Sequence, residues 1–403
     1  MPFTNVKITN MYSFDETELN LSYTRKPLNS PLHGEFLPTR PNFHFKKICI
    51  ISGANASGKT SFGRVMLGMQ NFIDKKQFVG TYLDKFTDSS KNATVEVDYV
   101  NAHTLKHNRL LLEIKKDESG ALVIVRLQYA NVSINKNDSC STTTKKLDDI
   151  FLNKDIFKTD KSEHINSDIQ GVVGALEAFK LIKSGWGWHY ILSENSETNS
   201  VFKEIDQKVL SSVLMTFDNS IKKVDTLVVK DQSKKSSNKT EGYSILFSNN
   251  DTVMIDLAGD ITNNNRLSRG TYEAIRIAFL LSRIIEAYKQ EVKTKRGTSS
   301  VFFIDEKMAY THTELEKLLL TLIITKIGSY NQFFYTTHNC DVLDLDLPIH
   351  SFVFTKKEDS VTKFIQASSI CKKNDRKLRN YVKNDRFETL PDLSLLEDIL
   401  FED

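Results

Sequence analysis

The stretch from Gly53 to Thr60, Gly-Ala-Asn-Ala-Ser-Gly-Lys-Thr, has residue types and a spacing that can cradle a chain of phosphates. It fits the pattern G-x-x-x-x-G-K-[S/T] and directly follows the apolar run 48–52, as expected for a strand that leads through a loop into a helix. Successive backbone N–H groups of such a loop form an anion nest, and the helix N-terminus adds partial positive charge. The stretch therefore predicts a binding site for a nucleoside triphosphate.

The polar residues of this loop have distinct expected tasks. Lys59 is placed to reach the β- and γ-phosphates, and the hydroxyl of Thr60 can ligate Mg²⁺. A helix is predicted over about residues 59–72. The predicted nucleotide contacts from the loop are Gly53, Ala54, Asn55, Ala56, Ser57, Gly58, Lys59, Thr60 and Ser61.

A second group of chemical interest is Asp305-Glu306, which follows the apolar run 301–304. Ligands of parallel sheets bind beyond the carboxyl ends of the strands, where both carboxylates are expected. There Asp305 suits an indirect Mg²⁺ ligand, and Glu306 suits the base that polarises the attacking water. Taken alone, the same residues are equally an ordinary strand that ends in a polar turn; the phosphate loop favours the catalytic interpretation.

Two further motifs are weaker. Ser268 and Gly270 lie at the start of a predicted helix over about 269–291. Ser268 can cap this helix, and the N-terminus of the helix can hold a phosphate. A cap with nothing bound is a serious alternative. His338 follows the short apolar run 332–335, and a neutral imidazole there can sense the γ-phosphate or be merely structural.

Composition sets the wider limits. The chain has 403 residues, 40% of them hydrophobic, and a net charge of only +3, so the overall charge does not indicate nucleic acid. The four cysteines are scattered and predict neither a zinc site nor disulfides. We expect no signal peptide and no membrane span, and hence a cytoplasmic protein. His103 and His107 are predicted on loops and not as metal ligands.

Strand, helix and turn patterns predict an α/β fold with a mixed central sheet, an antiparallel β subdomain and a helical insertion. The predicted divisions are 1–144 and 241–366 for the two halves of the main domain, 145–230 for the helical lobe, 231–240 for a linker and 367–403 for the tail. A hairpin is predicted from 243–247 and 252–256. The Trp186-Gly-Trp188-His189 segment is either a contact patch or core packing.

The order of these motifs resembles that of an ABC-type ATPase: phosphate loop, Leu-Ser-x-Gly at 267–270, apolar strand with Asp-Glu, then a strand ending in His. The Gly-x-Asn-x-Ser-Gly-Lys-Thr form is similar to the RecF/SMC branch. The strand at Ile8, the Thr-His-Asn at 337–339 and His312 are similar to the OLD-like ATPases. The resemblance covers about residues 1–135 and 240–355, and it implies the P-loop NTPase fold of an ABC ATPase head.

This resemblance implies ATP and Mg²⁺ as cofactors and a head-to-tail dimer or higher oligomer. Each ATP would lie between the phosphate loop of one subunit and Ser268 and Gly270 of the other, with Asn55 and Ser57 lining the loop and His338 as the switch histidine. Arg269 departs from the usual Leu-Ser-Gly-Gly. Gln128 is a weak candidate for the glutamine loop.

The short stretch after His338 leaves little room for the Toprim nuclease of many OLD proteins, and Asp344 and Asp346 are read as turn residues. We therefore expect a stand-alone ATPase subunit that controls a separately encoded effector, such as a nuclease or toxin, in antiphage defence. A RecF-like ATPase that binds DNA directly, a non-catalytic scaffold and an anticodon nuclease are alternatives. A basic cluster in the tail either binds nucleic acid or is a solvated helix face: Lys372, Lys373, Arg376, Lys377, Arg379, Lys383 and Arg386.

Overall fold

The computed structural model describes most of the chain. The described residues are 2–24, 30–37, 39–75, 78–152, 165–167, 186–192, 196–198, 205–230, 238–256, 261, 267–294, 299–306, 308, 312–371, 378–389 and 399.

The secondary structure alternates strands and helices along these residues. The first half contains β1 (Phe3–Thr9), β2 (Thr17–Asn20), β3 (Phe36–Leu37), β4 (Arg40–His44), β5 (Ile48–Ser52), α1 (Lys59–Lys75), β6 (Ala93–Asn101), β7 (Lys106–Lys116), β8 (Leu122–Ser133), α2 (Cys140–Leu152), β9 (Ile165–Ser167), β10 (Trp186–Ile191) and β11 (Ser196–Thr198). The second half contains α3 (Gln207–Phe217), β12 (Ile221–Lys230), β13 (Asn238–Phe247), β14 (Thr252–Asp256), α4 (Arg269–Thr294), β15 (Ser299–Asp305), α5 (Thr313–Lys326), β16 (Gln332–Thr337), β17 (Phe352–Glu358), β18 (Val361–Gln366), α6 (Ala367–Ile370) and α7 (Leu378–Lys383).

The chain folds into two units. The first unit comprises Met1–Trp186, Ser299–Glu306 and Ser329–Asp403, and the second comprises Gly187–Thr298 and Lys307–Gly328. The first unit therefore contains the phosphate loop and the strands β15 and β16, and the second contains α4 with Ser268 and Gly270. These divisions follow contacts within the chain and not function, so the predicted domain boundaries stay a prediction.

The first unit is built around a mixed sheet in which the strands β15, β16, β5, β17 and β18 lie in that order. The first four run parallel and β18 pairs antiparallel with β17. Every residue of β5, β15 and β16 is buried, which is typical of parallel strands covered on both faces. The ring of Phe62 in α1 packs at 6.4 Å from Phe303 and 6.2 Å from Phe334, so the helix after the loop is anchored on this sheet.

The first unit also contains an antiparallel sheet in the order β2, β1, β6, β7, β8, β9, and the short strands β3 and β4 pair with each other. Its long strands β6, β7 and β8 confirm the predicted antiparallel subdomain. The loop assignment of His107 was wrong, because this residue is buried within β7 and its ring nitrogens lie 2.8 Å from the hydroxyls of Thr4 and Thr143. Burial lowers the pKa of His107 to about 3, so the imidazole is neutral.

The second unit contains the three-stranded antiparallel sheet β12-β13-β14 and the helices α3, α4 and α5. The predicted hairpin is confirmed by the pairing of β13 with β14, in which Tyr243 lies opposite Ile255 and Ile245 opposite Val253. The ring of Tyr243 packs edge to face on Phe279 of α4 at 6.2 Å, which joins this sheet to the long helix.

The predicted helical lobe at 145–230 is only partly helical in its described residues. The helices α2 and α3 confirm helix at their positions, and the same range also contains the strands β9, β10, β11 and β12. β-branched and aromatic residues such as Tyr190, Val224 and Val228 favour strands, and that preference outweighs the helical spacing nearby. Trp188 is buried, which favours core packing over a contact patch. Much of the lobe, and residues 231–237 of the predicted linker, lie outside the described residues; residues 238–240 belong to β13.

The tail is described at 367–371 and 378–389, and four members of the basic cluster, Lys372, Lys373, Arg376 and Lys377, lie outside the described residues. Arg379 of α7 pairs with Asp341 at 2.8 Å and with Asp344 at 3.3 Å. These pairs fold the start of α7 onto the 3₁₀ turn that follows β16. Among the described helices, none combines the length and apolar character that crossing a membrane requires.

Candidate nucleotide site

The candidate site lies where the parallel strands of the first unit end. Asp305 lies opposite Thr336 in the sheet register, Thr337 opposite Ser52, and Ser52 opposite Phe354. Because the strands end at the same level, the loop after β5, the carboxylates after β15 and His338 after β16 converge at one edge. β16 lies between β5 and β15, so the histidine enters between the loop and the carboxylates.

The phosphate loop is shaped by residues with left-handed backbone. Ala56 has φ 60° and Gly58 has φ 99°, and such a conformation within a turn directs successive N–H groups to one side as an anion nest. A Cβ atom at Gly53 would lie 2.3 Å from the hydroxyl of Thr355, and one at Gly58 would lie 2.6 Å from the hydroxyl of Thr362. Glycine is therefore required at both positions by close approach of β17 and β18.

Threonines of the β17–β18 hairpin support the loop from beneath. The hydroxyls of Ser57 and Thr355 lie 2.6 Å apart, and Thr362 donates to the carbonyl of Ser57 at 3.1 Å. The hydroxyl of Thr362 also lies 2.7 Å from that of Ser13, which ties the β1–β2 turn to the same point. Sequence reasoning missed this support, since the threonines lie about three hundred positions from the loop and no local pattern marks them.

Lys59 is held in place by three oxygen atoms. Its ammonium donates to the main-chain carbonyls of Gly53 and Ala54 at 2.9 and 2.8 Å, and it lies 3.0 Å from Oε1 of Glu306. The side chain of Lys59 is only 3% exposed, whereas that of Glu306 is 30% exposed. The site therefore presents one buried cation and one carboxylate that water can reach.

Asp305 is the buried acid of the site. Its Oδ1 accepts a hydrogen bond of 2.6 Å from Thr336, and its Oδ2 has no hydrogen-bond partner of normal geometry among the described residues. Burial raises the pKa of the Asp305 carboxyl, although the hydroxyls of Thr336 and Thr60 favour the carboxylate. A buried carboxylate oxygen beside the Thr60 hydroxyl fits Mg²⁺, which usually takes one or two protein ligands together with phosphates and waters.

Glu306 and His338 lie side by side at the open end of the site. Nδ1 of His338 is 3.9 Å from Oε1 of Glu306, and the imidazole is half exposed. Glu306 has φ 50°, an uncommon conformation for a residue other than glycine, and its N–H bonds both the carbonyl and the hydroxyl of Thr336. This conformation turns the side chain of Glu306 toward Lys59, away from the course of the strand.

The structure brings Lys59, Asp305, Glu306 and His338 together, as expected from the sequence, and Ser61 follows Thr60 in the first turn of α1.

Ser268 and Gly270 belong to the second unit. Ser268 is exposed and its Oγ accepts from the N–H of Thr271 at 3.1 Å, so it caps α4 as predicted. Among the described residues, a Cβ at Gly270 would come within 4 Å only of Ser268 Oγ, at 3.8 Å. Gln128 is buried within β8, opposite Leu111, and lies in a strand instead of a loop.

Comparison with known proteins finds matches among solved structures. No family model and no curated protein matches the chain. Among solved structures, the SmcHead bound to the C-winged helix domain of ScpA is 13% identical, with 91% of this chain and 97% of that chain covered and a TM-score of 0.45. The SMC head domain from Thermotoga maritima is 11% identical, with 91% and 99% covered and a TM-score of 0.38.

Proposed function

We propose that this chain is an ABC-type ATPase that binds Mg-ATP on the loop from Gly53 to Ser61 and hydrolyses it. The observation that supports this best is the convergence of Lys59, Asp305 and Glu306 at one edge of the parallel sheet. Lys59 would neutralise the β- and γ-phosphates, and Asp305 with Thr60 would hold Mg²⁺. Glu306 would polarise water for attack on the γ-phosphate while His338 contacts that phosphate.

The proposed assembly is a head-to-tail dimer. In it, Ser268 and the N-terminus of α4 from one subunit would complete the nucleotide site of the other. The exposed cap at Ser268 and the open space beside Gly270 support this role, because a phosphate can approach this helix end closely.

Turnover of ATP by the purified chain tests the catalytic proposal. We expect Mg²⁺-dependent release of phosphate, and we expect Lys59→Ala to abolish both ATP binding and turnover. Lys75→Ala, at the exposed end of the same helix, is the matched control and should turn over ATP like the unmodified chain. A Lys59→Ala variant that still hydrolyses ATP at the parent rate would refute the proposal.

The finer part of the proposal is that hydrolysis controls a separately encoded effector, such as a nuclease or toxin, in antiphage defence. Its support is the resemblance of the motifs to OLD-like ATPases. The alternative of direct, RecF-like DNA binding loses some support because Arg379 is already paired with Asp341 and Asp344. Metal-dependent degradation of nucleic acid by the purified chain would contradict a separate effector, and ATP-dependent DNA binding with a strong salt dependence would favour the alternative.

A further inference from the structure

A chain of hydrogen bonds in the second unit connects Ser268 to Asp218. The hydroxyl of Thr271 donates to Oδ2 of Asp218 at 2.7 Å, and Oγ of Ser268 lies 2.8 Å from Oγ1 of Thr271. The side chains of Ser268, Thr271 and Asp218 line a cleft of about 260 Å³, which Asp251 also lines. Thr271 is buried and Ser268 is exposed, so this series of hydrogen bonds runs from a buried side chain to the surface.

The charge of Asp218 fixes the direction of the protons in this chain. Burial raises the pKa of Asp218, but hydrogen bonds from Ser220 and Thr271 outweigh it, and the net pKa lies below the usual range. The carboxylate is therefore ionised at neutral pH and can only accept. The Thr271 hydroxyl proton is committed to Asp218, which leaves Ser268 as the donor in its bond with Thr271.

The same geometry leaves the helix cap independent of that proton. The N–H of Thr271 donates to a lone pair on Oγ of Ser268, at 3.1 Å. Turning the Ser268 proton toward solvent therefore breaks the bond to the Thr271 hydroxyl while Oγ can still cap α4. The Ser268 hydroxyl has two arrangements, and only the outward one can donate to an oxygen outside the subunit.

We propose that Asp218 and Thr271 are positioning residues that hold the Ser268 proton inside the subunit and so restrain its donation to an ATP bound by a second copy. This inference rests on the proposed function, in which Ser268 acts on the other subunit's nucleotide. A phosphate oxygen can only accept a hydrogen bond, so the Ser268 hydroxyl must break its bond to Thr271 before it can donate to the phosphate. The pair thereby raises the ATP concentration that dimerisation requires.

Thr271→Val tests this restraint, because valine keeps the side-chain volume and the capping N–H but lacks the accepting hydroxyl. In the Glu306→Gln protein, Thr271→Val should lower the ATP concentration for half-maximal dimerisation roughly two- to tenfold. The effect should vanish when Ser268→Ala is added. Thr321→Val is the matched control, since the Thr321 hydroxyl donates to the carbonyl of Lys317 within α5. An unchanged ATP requirement, or an equal shift without the Ser268 hydroxyl, would overturn the proposal.

A carboxyl NMR titration of Asp218 tests the same hydrogen bonds without dimerisation. Thr271→Val should raise the pKa of Asp218, because the carboxylate loses a donor, and Thr321→Val should leave it unchanged. An unmoved Asp218 would overturn the hydrogen-bond chain whether or not dimers form. A moved Asp218 in a protein that never dimerises with ATP would support the chain and would locate the failure in the proposed function.

Discussion

The ammonium of Lys59 lies 3.0 Å from the carboxylate of Glu306, so the loop cation and the proposed base are paired with each other. Lys59 is 3% exposed, and with Glu306 and the carbonyls of Gly53 and Ala54 its water shell is replaced by protein oxygens. An entering phosphate would compete with Glu306 for this ammonium. A nucleotide whose phosphate displaces Glu306 from Lys59 also leaves the Glu306 carboxylate available to bind water.

This pairing predicts that Glu306→Gln has two opposite effects. Hydrolysis should fall by about a hundredfold or more, because glutamine cannot polarise the water. ATP should bind roughly fivefold more tightly, because a charged competitor for Lys59 is gone. Calorimetric titration and single-turnover hydrolysis measure the two effects separately.

Glu118→Gln provides the control for that experiment, since Glu118 is an exposed carboxylate in the turn between β7 and β8. It should change neither affinity nor turnover. Weaker ATP binding by Glu306→Gln would show that the carboxylate does not compete for Lys59, and unchanged hydrolysis would remove Glu306 as the base.

Asp305→Asn should separate stability from function. The pKa of Asp305 is raised by burial, so the folded state binds its proton more tightly than the unfolded chain, and the charged form lowers stability as pH rises past the unfolded pKa. Asparagine removes this cost, and the melting temperature without nucleotide at pH 7 should stay the same or rise. Mg²⁺-dependent turnover should be lost, because the oxygen proposed to serve the metal is gone.

Thermal melts with Mg-ATP and with ATP plus EDTA measure how much of the stabilisation by nucleotide depends on the metal. Mg-ATP should raise the melting temperature of the unmodified protein more than ATP with EDTA does. The two should raise the melting temperature of Asp305→Asn equally. A variant that is destabilised by several degrees without nucleotide, or that keeps its Mg²⁺ response, would contradict the role given to Asp305.

Gly58→Ala should disrupt the loop more than its backbone angle alone explains. Gly58 has φ 99° and a Cβ there meets the Thr362 hydroxyl at 2.6 Å, whereas a Cβ at Gly120, with φ 83°, meets no described residue within 4 Å. Gly120→Ala should cost about 1 kcal/mol through backbone strain, and Gly58→Ala should cost distinctly more and lose ATP affinity. Chemical unfolding of both variants measures the difference, and equal costs would mean that the close approach of β18 is unimportant.

Lys46 should make the protein more stable as pH rises above 8. It is buried beside Gln366, and burial lowers its pKa from 10.5 to about 8. Between these values the unfolded chain binds more protons than the folded one, so the free energy of unfolding rises with pH. Below pH 8, Lys46→Met should be more stable than the unmodified protein. Its free energy of unfolding should rise less with pH than that of the unmodified protein, by an amount on the order of 1–3 kcal/mol.

Urea unfolding at pH 7 and pH 9.5 checks this sign, with the exposed Lys75→Met as control. The control should follow the unmodified protein at both pH values. A Lys46→Met variant that shows the same pH dependence as the unmodified protein would mean that Lys46 is charged in the folded state throughout.

The elements that carry the site were predictable because their signals are local. The buried strands β5, β15 and β16 are short apolar runs, and residues that carry chemistry lie at their ends or directly after them, such as Asp305 and His338. The cap at Ser268 was likewise predictable from residue type and position. Sequence alone therefore supplied the order of motifs and the side of the sheet on which they meet.

The supporting contacts were not predictable, because they join distant parts of the chain. Thr362 bonds the loop at Ser57 and Asp218 bonds Thr271 at the start of α4, and neither pair has a spacing that a local pattern can reveal. The predicted helical lobe also contains strands such as β12, where pairing with β13 decides the structure. Tertiary pairing overrides weak helical spacing at such positions.

ATP-dependent dimerisation is the claim that the whole proposal depends on, and mass photometry of Glu306→Gln protein with and without Mg-ATP measures it directly. The account predicts monomers without nucleotide, dimers or larger assemblies with Mg-ATP, and no such assembly when Ser268→Arg is added. A mass distribution that is indifferent to ATP, or assemblies that persist in the double variant, would contradict the head-to-tail site and the role of Ser268.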